Sequence, residues 1–158
     1  MDESVAIINK LIVDVFDDIL KLEENALRSG MFSDVSLTEV HTIEAIGMYS
    51  KLTASEVARK LKITAGTLTV AVNNLVKKNY VNRLRCEDDR RVVKLGLTGK
   101  GRVLFRVHEK FHEDMVRQSI TGLDREEERV LLCALSSLHQ FLAEKLSAME
   151  SKLKPVSN

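Results

Sequence analysis

Residues 53–98, TASEVARKLKITAGTLTVAVNNLVKKNYVNRLRCEDDRRVVKLGLT, decide the fold. Thr53-Ala54-Ser55-Glu56 has the spacing of a capping box, in which a hydroxyl and a carboxylate satisfy the orphan N–H groups at a helix start, so a short helix is predicted near 53–61. Thr64 can cap the next helix, at about 65–78. That helix stops at Asn79, one of the few non-glycine residues that tolerates the left-handed conformation at a helix end. The apolar period then changes to two. Val81 and Leu84, and after them Val92, Val93, Lys94, Leu95 and Leu97, flank the polar Glu87-Asp88-Asp89-Arg90-Arg91, which reads as a β-hairpin with a charged tip. Helix, tight turn, helix and hairpin over 53–95 is the order of a winged helix-turn-helix.

The flanks are helical. Val5, Ile8, Leu11, Ile12, Val15, Ile19 and Leu22 recur at three- and four-residue steps and predict an amphipathic helix of about 25 residues ending near Ser29-Gly30. A second capping box, Ser36-Leu37-Thr38-Glu39, opens a helix near 36–49. Thr98 caps a long helix of about 98–119. Asp124-Arg125-Glu126-Glu127 starts the last one, on which Leu131, Leu135, Leu138, Leu142, Leu146 and Met149 form a heptad-like seam. The long terminal helices carry more apolar surface than a small core can cover, which predicts a homodimer built from them. The expected architecture is mainly α with a small β wing: a single domain over 1–158, with 1–35 and 98–153 as dimerisation helices and 36–97 as a DNA-binding lobe.

Composition agrees with this. The chain has 158 residues, one proline, no Trp and two Tyr, a mix that favours helices over a sheet-rich fold. No uncharged run, that from Ile63 to Val76 included, reaches the ~20 residues that span a bilayer, and Met-Asp-Glu-Ser-Val has no basic leader. A cytoplasmic protein with no membrane partner is expected. Cys86 and Cys133 lack CxxC spacing and imply no disulfide framework.

The net charge of +1 hides a polarised distribution: residues 1–74 carry −4, residues 75–110 carry +7 and residues 111–158 carry −2. A basic middle between acidic ends suits a phosphate-binding surface; a solvated charged face is the plainer alternative. Projected at 100° per residue, the 65–78 helix buries Leu68, Ala71, Val72, Leu75 and Val76. It turns Gly66, Thr67, Val70, Asn73, Asn74 and Lys77 outward. Asn73 can pair bidentately with adenine, Thr67 and Val70 can meet thymine methyls, and Lys77 can reach phosphate. With no arginine on this helix aimed at guanine, an A·T-leaning site is expected. Gly66 leaves room for a phosphate at the helix N-terminus. Arg90 suits a narrow minor groove, with Asp88 holding it, and Arg91 suits phosphate. The full DNA-binding set is Thr64, Gly66, Thr67, Thr69, Val70, Asn73, Lys77, Arg83, Arg90 and Arg91.

The run LVKKNYVNRLRCEDDRRVVKLGLT and the helix after it resemble the MarR family of winged-helix repressors, with Asn79 standing where the family pattern has glycine. EVHTIEAIG at 39–47, DDRRVVKLGLT at 88–98 and RVHEKFHEDMV at 106–116 resemble the branch that represses type II fatty-acid synthesis genes in low-GC Gram-positive bacteria. The resemblance implies an obligate dimer on an A·T-rich palindromic operator, no enzymatic activity, no resident cofactor, and an acyl chain on acyl carrier protein as corepressor. The effector pocket is expected between the dimerisation helices and the DNA-binding lobe, lined by Phe32, Ile43, Ile46, Gly47, Val107 and Phe111, with His41 or His108 at a polar end.

Two features compete with this. His108-Glu109-Lys110-Phe111-His112 has the HExxH form of a zinc protease, but the chain leaves no second lobe to form a cleft. Metal sensing through His41, His108 and His112 is the stronger alternative, because a zinc-responsive branch of the family uses the same helices. That branch places a carboxylate just before the position of His41, where this chain has Val40. Cys86, beside Arg85 and Glu87, could be a redox sensor or inert, and Cys133 is expected in the core.

Overall fold

The structure, a computed structural model, describes residues 2–85 and 92–153. The chain runs α1 (Glu3–Ser29), α2 (Leu37–Ile46), β1 (Leu52–Thr53), α3 (Ala54–Leu61), α4 (Ala65–Lys77), β2 (Val81–Arg85), β3 (Val93–Leu97), α5 (Gly99–Ser119) and α6 (Arg125–Leu153). It divides into two compact units, Met1–Phe111 and His112–Asn158.

Local chemistry sets the helix starts. Ser36 and Glu39 form a reciprocal capping box on α2, and Thr53 and Glu56 form another on α3. The Thr53 hydrogen bonds lower the pKa of Glu56. Asp124 accepts from the backbone N–H groups of Glu126 and Glu127 and opens α6. α2 ends at Ile46 rather than near residue 49, because Gly47 takes φ 82° and its N–H closes on the carbonyl of Ile43. Asn79 has φ 63°, as its position after α4 requires, and Lys62 takes φ 55° in the turn between α3 and α4.

β3 is the middle strand of an antiparallel sheet ordered β1-β3-β2, with Leu52 opposite Leu95 and Arg83 opposite Leu95 on its other edge. The two-residue β1 has no periodicity to announce it; β3 supplies its partner groups. The core of the first unit gathers Val40, Ile43 and Ile46 of α2, Val57 of α3, Leu68 and Leu75 of α4, then Tyr80, Val81, Leu95 and Leu104. α5 joins it through a close backbone approach. A Cβ on Gly101 would lie 2.1 Å from the carbonyl oxygen of Tyr80, so only glycine fits there. Thr98 locks the same junction: its hydroxyl donates to the Asn79 carbonyl (2.7 Å) and accepts from the N–H of Gly101 (3.0 Å).

Much apolar surface is left uncovered within each unit. In the first, Val5, Ile8, Leu11, Ile12, Val15 and Phe16 of α1 are exposed; in the second, Leu131, Leu135, Leu142, Leu146 and Met149 of α6 are exposed. Cys133 is also exposed, not in the core as the leucine-rich pattern implied, because the face of α6 that carries it packs on nothing within its unit. No helix among the described residues is long and apolar enough to cross a membrane.

Candidate nucleic-acid interface and effector cavity

α4 buries Leu68, Ala71, Val72 and Leu75 and exposes Gly66, Thr67, Val70, Asn73 and Lys77, which is the division its sequence predicted apart from the half-buried Val76 and Asn74; Thr69, outside the predicted outward face, is exposed as well. An isolated valine on that outer face, 62% exposed, contributes nothing to the core. Thr64 caps the helix by accepting from the N–H of Thr67, and the two hydroxyls share a 2.9 Å hydrogen bond. Thr69 donates its hydroxyl proton to the carbonyl of Ala65. Gly66 has a negative φ, and the nearest atom to an added Cβ would be 3.8 Å away, so nothing in the chain itself requires glycine there.

Arg83 reaches from β2 to α4, where its Nη2 donates to Oδ1 of Asn73 at 2.5 Å. The sequence pattern did not announce this bond, which takes one of the two lone pairs of the Asn73 amide oxygen. Cys86, Asp88, Asp89, Arg90 and Arg91 lie outside the described residues.

Behind α4, charged groups fasten the lobe. Lys78 bridges to the buried Glu39 at 2.7 Å, joining the end of α4 to the start of α2. Tyr80 donates to Asp34 at 2.7 Å, and Lys100 lies 3.3 Å from the same carboxylate and over the Tyr80 ring. The hydrogen bond from Tyr80 lowers the pKa of Asp34; burial, with that bond, raises the phenol.

A cavity of about 290 Å³ opens between α1, the loop after it and the first half of α5. Of the residues grouped from the sequence, Phe32, Val107, His108 and Phe111 line it, together with Glu23, Leu27, Met31 and Leu104. Ile43 and Ile46 do not: both are fully buried, because the face of α2 that holds them packs into the core. Gly47 is also absent, being spent on ending α2, and His41 lines a separate groove with Glu44, Lys60 and Phe105.

The polar end of the cavity is a chain of imidazoles and carboxylates. His108, 5% exposed, meets Glu44 through Nδ1 at 2.8 Å and Glu23 through Nε2 at 3.3 Å, and His41 approaches the other oxygen of Glu23 at 3.6 Å. Burial opposes a charge on His108, yet the Glu44 hydrogen bond and the two carboxylate charges outweigh it and raise its pKa. Glu23 was not legible in the sequence: it sits in the apolar stripe of an amphipathic helix with nothing near it in sequence to mark it.

Residues 33–92 match the MarR family profile. The chain is 43% identical to Streptococcus pneumoniae FabT, solved in complex with DNA, over 89% of this chain and 98% of that one, with a TM-score of 0.84. The chain belongs to the MarR family. It is 26% identical to the transcriptional regulator PchR of Bacillus subtilis (strain 168), over 82% of this chain and 86% of that one. It shares the fold of Staphylococcus aureus MepR, also solved with DNA, at a TM-score of 0.66 and 21% identity over 84% of this chain and 96% of that one. This MarR-type protein is therefore a DNA-binding transcriptional regulator, and the family and relatives are regulators rather than enzymes.

Proposed function

We propose that the chain represses fatty-acid biosynthesis genes by binding an A·T-rich palindromic operator as a homodimer, with an acyl chain on acyl carrier protein as corepressor. The cavity carries the effector half of this reading. Its walls are apolar, and Glu23 and His108 are the charged or titratable groups that line it. An acyl chain needs such a slot: an apolar run with polar atoms at one end. The sequence motifs that resemble the fatty-acid branch, and the 43% identity to FabT, support the same reading. For DNA, the support is the outward face of α4 and the +7 stretch over 75–110; for the dimer, the uncovered apolar faces of α1 and α6. Residues 36–97 then form the DNA-binding lobe, and 1–35 and 98–153 the dimerisation helices.

A second reading has its own observation. Glu23, His41 and His108 bring three ligand atoms within 4.8 Å of one another, a carboxylate and two imidazoles of the type that holds zinc. Glu23, from α1, supplies the carboxylate that Val40 does not. His112 follows one turn along α5, in the second unit. A proton on His108 and a cation would compete for this site.

One titration separates the two: metal-stripped protein against an A·T-rich palindrome from a fatty-acid gene promoter, with zinc and long-chain acyl carrier protein added separately. A several-fold change in affinity with the acyl carrier protein and none with zinc is the expected result. A response to zinc alone overturns the acyl reading and makes the histidines ligands.

A further inference from the structure

We propose that Glu44 carries the state of the effector cavity to α4, with α2 as the rigid link between them. The inference rests on the reading that the cavity takes the acyl chain. α2 is ten residues long, about 15 Å at the rise of an α-helix, and a charged contact fastens it near either end. Near its start, both oxygens of the buried Glu39 accept from Nζ of Lys78, at 2.9 and 2.7 Å, and Lys78 is the residue that ends α4. In its last turn, Glu44 accepts from Nδ1 of His108 at 2.8 Å. The spacing of the two carboxylates turns them about 140° apart around the helix, so each meets a different neighbour. Between them Val40 and Ile43 are fully buried and share a core with Leu75 of α4. A hydrogen-bonded helix packed in this way shifts as one piece.

His108 belongs to both sides of the arrangement. Its ring lines the cavity and is held between Glu44 on α2 and Glu23, 3.3 Å away on α1. An acyl chain in the cavity packs against this ring, and a ring in a close-packed wall moves only by moving its partners. Glu44 is the partner that shares a helix with Glu39, so a shift of the ring reaches Lys78 and the end of α4. Glu44 itself lines the neighbouring groove and not the cavity, which makes it a positioning residue that acts through His108. A competing route runs through the start of α5, where Thr98 binds the carbonyls of Asn79 and Tyr80 and bypasses α2.

The test compares each full-length chain with itself: operator affinity with and without saturating long-chain acyl carrier protein, and affinity for the acyl carrier protein with and without operator. Linkage requires the two ratios to agree. Wild type is expected to show a ratio of about five-fold or more, the lower end of ordinary allosteric coupling. Glu44→Ala should still bind both partners and bring the ratio to within about two-fold of one. Glu44→Gln keeps an acceptor for Nδ1 and should restore the response. Lys78→Met cuts the other end of the link and should lose the response too. Combined with Glu44→Ala it should lose no more than either change alone, as links in series do. Thermal melts of the same samples show which variants are folded; if Lys78→Met is not, the two Glu44 variants decide. A merely structural Glu44 would lower the melting temperature and leave the ratio of the folded chain unchanged. A ratio kept by Glu44→Ala overturns the inference in favour of the α5 route. Loss of acyl carrier protein binding in Glu44→Ala overturns it as well, as does a Glu44→Gln chain that responds no better than Glu44→Ala. A wild type whose operator affinity ignores the acyl carrier protein overturns the corepressor reading and this inference with it.

Discussion

Asn73 and Lys77 stand one turn apart on the exposed face of α4, and they separate two kinds of contact. An amide reads a base edge and a lysine meets phosphate. Asn73→Ala is expected to cost roughly 1–3 kcal/mol of operator affinity, confined to one base position, with random DNA bound as before. Lys77→Ala should weaken every sequence alike and reduce the salt slope of binding by about one. Binding isotherms at several salt concentrations on operator and random duplexes check both; equal losses on the two duplexes for Asn73→Ala would mean that α4 is turned the wrong way. The outward placement of these side chains was legible in the sequence, since helical period alone sets it. What Asn73 offers was not, because Arg83 arrives from another element.

The junction of α4, β2 and α5 carries two element-scale predictions. Asn79 ends α4 in the left-handed region, where a Cβ without a polar side chain is disfavoured. Asn79→Ala should destabilise the fold by about 1 kcal/mol, whereas Asn79→Gly should cost little, as read by urea denaturation. Asp34 ties the loop after α1 to Tyr80 and Lys100, and its pKa is depressed in the folded chain. A depressed carboxyl contributes stability that is present above its unfolded pKa and is lost as pH falls through the folded one. Asp34→Asn should therefore be less stable than wild type at pH 6, and the gap should begin to narrow as pH falls below about 3.8, the ordinary value of the group. A gap unchanged down to pH 2.5 would show that the carboxylate charge is not what Asp34 contributes.

At the scale of the whole molecule, the exposed apolar residues of α1 and α6 are more than a soluble monomer usually leaves in water. Two copies of the chain can cover them, and a dimer presents two copies of α4 to the two halves of a palindrome. Leu11→Glu in α1, or Leu135→Glu in α6, puts a charge among those residues and should give monomers in sedimentation equilibrium, with operator affinity reduced about a hundred-fold as the second half-site is lost. A stable dimer in both variants would place the interface elsewhere.

The amino-acid sequence is enough to predict the helices, the hairpin strands and their order. Capping boxes, the left-handed Asn79, the 3.6 period and its change to two are relations among residues a few positions apart, and they act before the chain is folded. It also carried the basic stretch and the motifs that resemble the MarR family. Only the tertiary structure decided β1, which exists because β3 lies beside it; the absence of Ile43, Ile46 and Gly47 from the cavity lining; and the polar chain Glu23, His108 and Glu44 at its end. The Asn73 and Arg83 bond joins residues ten apart, and that of His108 and Glu44 joins residues sixty-four apart. Such contacts depend on how helices and strands are turned against one another, which is fixed by the packing of the entire core and leaves no local pattern in the sequence.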